Sequence, residues 1–335
     1  MTETILITGG AGFIGSNLVH RWVRNHPGDR VVVLDKLTYA SDRSQIEGLS
    51  GVDLIQGDIT NLELVRHVIE RNAVVRIFHL AAESHVDRSI SGPAEFIRTN
   101  MVGTFSMLEA ARQAWAGQKG CRFLHVSTDE VYGSLGEIGK FHETMAYAPN
   151  SPYSASKAGS DHLVRAYHHT YAMDVITTNC SNNYGPRQHP EKLIPLVIAR
   201  MVANEPIPIY GDGQNIRDWL FVEDHCSALE TAMLSGVAGE TYCVGGENEQ
   251  KNLDLIDILC DTVDLQLGRS QGTSRGLKTF VQDRAGHDRR YAIDSTKIQT
   301  ELGWRPEHSF QDGLKATVAW YLRGQGHLEA YGETL

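Results

Sequence analysis

Cysteine pairs, basic runs and long apolar stretches are all missing from this chain. Its five cysteines, Cys121, Cys180, Cys226, Cys243 and Cys260, lie scattered without Cys-x-x-Cys spacing. That excludes a disulfide framework or a cysteine-built zinc site and leaves core thiols. With 31 Lys and Arg against 41 Asp and Glu, the net charge is −10 when His is neutral. Nucleic acid is therefore not an expected partner, and an anionic ligand must be met by a few local cations. No apolar run is long enough to span a bilayer, and the N-terminus opens on a strand pattern rather than a cationic, then apolar, signal segment. A soluble cytoplasmic protein is expected. Fifteen histidines, the pair His168-His169 included, make no ligand set with a third group at helical spacing, so no metal is expected.

What is present is alternation. Strand-like runs recur at Ile5 to Thr8, Val31 to Leu34, Leu54 to Gln56, Val75 to Leu80, Arg122 to Ser127 and Val175 to Asn179, most of them separated by helical patterns. Parallel neighbours need a crossover and a helix is the usual one, so the pattern predicts an α/β fold: a Rossmann-type doubly wound parallel sheet. Beyond Asn179 the texture changes to loop chemistry, Ser181-Asn-Asn-Tyr-Gly-Pro186, and then to a segment interrupted by Pro190, Pro195, Pro206 and Pro208. Short strands at Leu220 to Val222 and Thr241 to Val244 flank a helix opening at Val222, which would return the chain to the first sheet. The expected division is thus discontinuous. Residues 1–180 with a returning segment near 216–245 form a dinucleotide-binding domain, and 181–215 with 246–335 form a smaller mixed α/β substrate domain. Gln266 to Lys278 is polar, carries Gly and Ser, and reads as a mobile connection.

The first strand runs into Gly9-Gly-Ala-Gly12-Phe-Ile-Gly15 and then into the apolar helical stretch Ser16 to Val23. Glycines in that place allow a tight turn and a close approach to pyrophosphate, whose charge sits on the amides of a helix N-terminus. About twenty residues on, Asp35 closes the second strand. A carboxylate there can accept from a ribose 2′-hydroxyl and would repel a 2′-phosphate, which favours NAD over NADP. Lys36 beside it reads as an exposed loop lysine. Asp58, after the third strand, suits the adenine amino group, although Gly57-Asp58 is also ordinary turn chemistry.

A second cluster ends the fifth strand: Thr128-Asp129-Glu130, followed by Tyr153-Ser-Ala-Ser-Lys157. A Tyr four residues before a Lys shares one helix face with it, so the ammonium can stabilise a tyrosinate that takes a proton from a sugar hydroxyl. Two adjacent carboxyl groups can remove one proton and deliver another if their environments separate their pKa values, which is the chemistry of eliminating water. Each motif has a plainer reading by itself. Tyr-x-x-x-Lys arises by chance in many helices, and Asp129-Glu130 would also suit a solvated helix start. Ligands of such sheets sit at the carboxyl ends of strands, where both the glycine turn and the carboxylates fall.

These residues resemble the extended short-chain dehydrogenase/reductase superfamily over nearly the whole chain, and within it the nucleotide-sugar 4,6-dehydratases. The shared layer is Thr8 to Gly15 with Tyr153-x-x-x-Lys157. The narrower layer is Ser127 to Gly133, Asn179 to Pro186, Pro190 to Pro195, Ile216-Arg-Asp-Trp219 and Gly286 to Tyr291. The resemblance implies NAD as a catalytic cofactor and a nucleotide-sugar substrate, dTDP-glucose favoured and UDP-glucose its rival, with a hexose 4-epimerase the neighbouring activity. It gives C4 oxidation to Tyr153 with Lys157 and Thr128, removal of the C5 proton to Glu130, and protonation of the departing C6 hydroxyl to Asp129. Gly9, Gly12, Phe13, Ile14, Gly15, Asp35, Asp58, Ile59, Ala81, Ala82, Ser84 and Asn100 match cofactor positions, with Tyr153 and Lys157. Asn182, Lys192, Leu193, Pro208, Tyr210, Arg217, Asn252, Arg284 and His287 match substrate positions, with Thr128. Arg187 stands where an aromatic residue is common, a departure that bears on the choice of nucleotide or sugar. A homodimer is implied, paired through the helix near Val102 to Ala114 and the helix beginning at Ser151.

Overall fold

The computed structural model describes residues 2–283 and 288–324. Its strands are β1 (Thr4–Thr8), β2 (Arg30–Asp35), β3 (Val52–Gln56), β4 (Arg76–His79), β5 (Arg122–Thr128), β6 (Val175–Cys180), β7 (Asn182–Tyr184), β8 (Ile207–Tyr210), β9 (Ile216–Phe221), β10 (Thr241–Val244), β11 (Glu249–Lys251) and β12 (Lys278–Val281). The helices are α1 (Phe13–Asn25), α2 (Leu62–Arg71), α3 (Val86–Ser91), α4 (Pro93–Phe96), α5 (Thr104–Ala114), α6 (Pro152–Tyr171), α7 (Leu193–Ala203), α8 (Val222–Ser235), α9 (Asn252–Gln266), α10 (Thr296–Leu302) and α11 (Phe310–Arg323).

Seven strands form the main sheet in the order β10-β6-β5-β4-β1-β2-β3, all of them parallel. Successive side chains of a strand point to opposite faces, and both faces here are covered. Ile5, Ile7, Val31, Val33, Phe78 and Leu124 pack with α1 and α8 through Leu18, Trp22, Leu229 and Met233. Leu6, Val32, Leu34, Ile77 and Phe123 pack with α2, α5 and α6 through Val65, Ile69, Met107, Leu108 and Val164. That double coverage is why β1 and β2 read as continuous apolar runs. Strand order reverses between β1 and β4, which places a crevice at their carboxyl ends.

A second core gathers Ile194, Val197 and Ile198 of α7, Leu255, Leu259 and Val263 of α9, and Leu314 and Val318 of α11 around β7 to β9. A three-stranded sheet, β11-β9-β7, and the pair β12-β8 belong to this part. The strand expected at Leu220 to Val222 is longer and earlier, β9 at Ile216–Phe221, and it lies in the small sheet. The return to the main sheet is made by α8 and β10. Late residues also cross back: Ile298 and Trp304 pack in the α1/α8 core, and the Trp304 indole donates to Ser227 Oγ at 2.8 Å.

Gln266 to Lys278 departs from the expected mobile connection. It holds a 3-10 turn, Thr273–Leu277, in which Ser274 is buried and donates from both its amide and its hydroxyl to Asp264 at 3.0 and 2.6 Å. A buried carboxylate needs such donors, so Asp264 of α9 gives an aperiodic segment a fixed place.

Candidate active site

The glycine turn is built by exclusion. Gly9 has φ +68, and a Cβ there would stand 2.8 Å from the Ala81 amide nitrogen. A Cβ on Gly15 would stand 2.1 Å from the Gly9 carbonyl oxygen. Larger residues would push α1 off the end of β1. No side chain caps α1, whose Ncap is Gly12, so its first amides face the crevice as donors. This cradle, closed to a Cβ at Gly9, Gly10 and Gly15 and presenting the α1 amides, fits a dinucleotide pyrophosphate.

Asp35 is buried at the end of β2. Its carboxylate accepts from the Ala11 amide at 3.0 Å, and from the Leu37 amide and the Ser41 hydroxyl at 2.8 Å each. It thereby orders the glycine turn and the following loop while lining the cleft. Lys36 is an exposed loop lysine, as its sequence position suggests, and its ammonium meets Asp58 at 3.1 Å and Glu95 at 3.3 Å. Asp58 also accepts from the Thr60 amide and hydroxyl, so its turn role and its place in the cleft wall coexist. Asn100, in a π-helical segment Ile97–Gly103 leading into α5, brackets Glu83 by donating to its carbonyl and accepting from its amide. Its amide also donates to Ser156 of α6 at 2.8 Å, which ties the wall at Ala81, Ala82 and Ser84 to the helix bearing Tyr153.

β5 ends at Thr128, whose hydroxyl accepts from the Glu130 amide and donates to Asp129 Oδ1, both at 3.3 Å. The turn Asp129–Tyr132 follows. Asp129 is 2 % exposed, with Oδ2 lacking any hydrogen-bond partner. Burial first, then the charges of Glu130 and Asp218, hold its carboxyl well above the usual range, which favours the protonated acid. A neutral carboxylic acid beside a second carboxyl is the separation that an acid and a base require.

Tyr153 and Lys157 line the same cleft, as their spacing on one helix face requires. Burial, with the nearby charge of Glu130, raises the Tyr153 phenol well above its ordinary value; the Thr128 hydroxyl opposes this. Burial lowers Lys157 to about 8, and its ammonium donates to the Val126 carbonyl at 2.8 Å. Desolvation outweighs the attraction that i,i+4 spacing suggested.

One open cleft of roughly 1620 Å³, its mouth included, is lined by Gly9, Gly12, Phe13, Ile14, Gly15, Asp35, Asp58, Ile59, Ala81, Ala82 and Ser84, and by Thr128, Asp129, Glu130, Tyr153, Lys157, Asn182 and Lys192. Leu193, Pro208, Tyr210, Arg217 and Asn252 do not line it. Leu193 opens α7, Pro208 and Tyr210 lie on β8, and Asn252 opens α9. Arg217 stacks 4.3 Å over the Tyr291 ring and donates to the carbonyls of Ile216 and Asp288. Its charge also reaches Asp129, so the second core approaches the acid end of the cleft. Arg284 and His287 lie outside the described residues.

Arg187 is not among the residues that line this cleft. It sits at φ +70 and turns its guanidinium to α1, donating to Asn17 Oδ1 at 2.9 Å and lying 3.3 Å from His20 Nε2. Sequence reasoning missed Glu83, Cys180, Ser181, Asn183, His189 and Glu191 in the lining, and Asp218 behind Asp129. Asn183 and Asp218 stand inside quoted motifs, so position there was the available signal.

Residues 6–317 match the family described as GDP-mannose 4,6 dehydratase. The chain belongs to the nucleotide-sugar 4,6-dehydratases of the extended short-chain dehydrogenase/reductase superfamily. Its relatives define a narrower branch. It is 54% identical over 331 residues to the dTDP-glucose 4,6-dehydratase of Xanthomonas campestris pv. campestris (strain B100), covering 96% of this chain and 94% of that protein. Identity to dTDP-glucose 4,6-dehydratase 1 of Escherichia coli (strain K12) is 51% over 335 residues, with 95% and 92% covered. The crystal structure of a dTDP-glucose 4,6-dehydratase from Streptomyces venezuelae, with NAD bound, superposes with a TM-score of 0.90 at 46% identity, covering 98% and 99% of the two chains.

Proposed function

We propose that this chain is an NAD-dependent hydro-lyase that converts dTDP-glucose to dTDP-4-keto-6-deoxyglucose and water. The observation that carries the reading is a buried Asp129, its carboxyl pushed upward by burial, beside Glu130 and Tyr153 in one cleft with the glycine cradle. An epimerase would need the cradle and Tyr153 but no acid/base pair for C5 and C6. NAD, when bound, supplies a positive charge and a reversible acceptor for the hydride taken from C4 and returned at C6. The α1 amides, Asp35 and the wall at Ala81 to Ser84 hold it; Asp58 and Ile59 border the adenine.

Tyr153, brought to its tyrosinate by the Lys157 ammonium and the positive charge that bound NAD would supply, takes the proton of the C4 hydroxyl, with Thr128 assisting. A keto group at C4 makes the carbanion at C5 an enolate, so Glu130 can remove the C5 proton. Asp129 gives its proton to the C6 hydroxyl, which leaves as water. Asn182 and Lys192 hold the sugar nucleotide from the cleft side. Arg217, Asn252, Pro208, Tyr210 and Leu193 hold it from the second core, and the family resemblance gives Arg284 and His287 the same role. This assigns dinucleotide binding to the main sheet and nucleotide-sugar binding to the module of β7 to β9, α7, α9 and α11.

The chain works as a homodimer in this reading, paired through the helix near Val102 to Ala114 and the helix beginning at Ser151. Met107, Leu108, Ala110 and Ala111 are spent on the intrachain core. Ile97, Val102, Phe105 and Tyr171 are the large apolar groups left exposed along this helical face. A monomeric mass in solution at working concentration would refute the pairing.

The activity is tested by incubating purified protein with dTDP-glucose and, separately, UDP-glucose in deuterated water. The expected product is a 4-keto-6-deoxy sugar with deuterium at C5, formed preferentially from the dTDP sugar, and absent with Glu130→Gln. A galactose nucleotide, or no product from either sugar, would overturn the reading.

A further inference from the structure

Tyr153, Lys157 and Asp161 stand at i, i+4 and i+8 on one face of α6. The third has no part in the chemistry above, yet it is 4 % exposed. A buried carboxylate must find its compensation inside the protein. Asp161 Oδ2 accepts from Ser127 Oγ at 2.9 Å, Tyr147 OH at 3.0 Å and Asn179 Nδ2 at 3.2 Å. Its Oδ1 lies 3.2 Å from His125 Nε2, and the Lys157 ammonium lies 3.5 Å from that same nitrogen.

The imidazole between them is a neutral spacer. Ser160 gives its one hydroxyl proton to the Lys157 carbonyl at 2.7 Å, so towards His125 Nε2, at 3.2 Å, it accepts. The ring proton therefore sits on Nε2 and faces Ser160, with Asp161 Oδ1 3.2 Å from the same nitrogen. Burial, then the Lys157 charge, holds His125 down at about 4, so it adds no second cation. The other titratable groups around this face are His79 of β4, Cys180 of β6, Tyr147, and Asp129 and Glu130 of the turn after β5. Of these, Asp129 is favoured in its protonated form.

We propose that Asp161 is a positioning residue for the oxidation step: as the buried counter-charge of Lys157 it keeps that side chain cationic next to Tyr153, and so governs how readily the phenol exchanges its proton. The inference rests on the reading of Tyr153 as the base at C4. Asp161 opposes the burial that drives Lys157 to give up its proton. Without the carboxylate, that ammonium would be an unpaired buried charge.

The test is the pH dependence of single-turnover reduction of the bound cofactor by dTDP-glucose, in NAD-loaded protein. In Asp161→Asn, the alkaline limb, where Lys157 loses its charge, is expected to move to lower pH by about 1 to 3 units. Tyr147→Phe removes one hydrogen bond but no charge and is expected to leave that limb in place. A folded Asp161→Asn whose profile superposes on the wild type overturns the proposal. Should Asp161→Asn fail to fold, thermal unfolding of Lys157→Met against Lys157→Met/Asp161→Asn decides. Stability regained on removing the second charge supports the pairing; additive losses overturn it. A wild type inert towards dTDP-glucose would instead bring down the assigned reaction, and the unfolding comparison, which needs no turnover, would still test the charge pair.

Discussion

Substituting Gly15 by Ala should separate the cofactor cradle from the rest of the fold. The added methyl would stand 2.1 Å from the Gly9 carbonyl oxygen, 2.7 Å from Gly10 Cα and 2.8 Å from the Gly9 carbonyl carbon. All three are backbone atoms of the turn, so no side chain can yield. Ordinary contact begins near 3.4 Å, so α1 must withdraw by roughly 1 Å or the turn must open by as much. Either change carries the α1 amides away from where a pyrophosphate would lie. Loss of one charge-assisted hydrogen bond costs about 1.5–3 kcal/mol, a 10- to 100-fold weaker hold on NAD. Overpacking costs the fold about 1–3 kcal/mol more, a fall of several degrees in Tm. Gly28→Ala is the matched control, because nothing lies within 4 Å of its Cβ position. The assay is isothermal titration of cofactor-stripped protein with NAD, beside thermal unfolding of both variants. A Gly15→Ala protein that binds NAD as tightly as Gly28→Ala does would refute the steric argument and with it the placement of the pyrophosphate.

Asp129→Asn should lose activity and gain stability. An amide has no proton to give the departing hydroxyl, so dehydration should slow about 10²- to 10⁴-fold. Because the folded Asp129 keeps its proton above the unfolded value of 3.8, wild-type stability falls as pH rises from 3.8 towards the folded value. The variant escapes that loss, so the margin by which its urea midpoint exceeds the wild type's at pH 7 should shrink as pH falls to 5; a pH-independent difference would contradict the assigned protonation. Acid should unfold the protein early. His125 and His225 are fully buried with pKa values lowered by burial to about 4 and about 3, and His79 is lowered as well. Their depressed values give stability that is complete above pH 6.5 and is lost as pH falls through the window below it. The loss is about 1.4 kcal/mol per pH unit for each histidine, on the order of 2 kcal/mol each by pH 5. Urea unfolding at pH 7, 6 and 5 checks this, and a flat profile down to pH 5 would refute it.

The six strands expected on the first part of the chain appear as β1 to β6; β1 and β2, buried on both faces, carry continuous apolar runs, whereas the edge strand β3 is only partly buried. The glycine cradle was legible for a related reason: a turn that excludes a Cβ at Gly9, Gly10 and Gly15 leaves glycine as the residue that fits. Charge state was less legible. Tyr153 and Lys157 share a helix face as their spacing requires, yet spacing does not carry the desolvation that raises one and lowers the other. Arg187 makes the same point about direction. Its neighbours in sequence belong to a substrate motif, while its side chain, turned by a left-handed backbone, bonds to α1. Asp161 was hidden differently. It follows Lys157 by one helical turn, but its meaning depends on Ser127 of β5, Asn179 of β6 and Tyr147 of a loop, which converge through the parallel pairing of β5 with β6. A carboxylate's role in a buried network is set by what the sheet brings to it, so the positions hardest to read along the chain are those where charge, rather than shape, has to be balanced across strands.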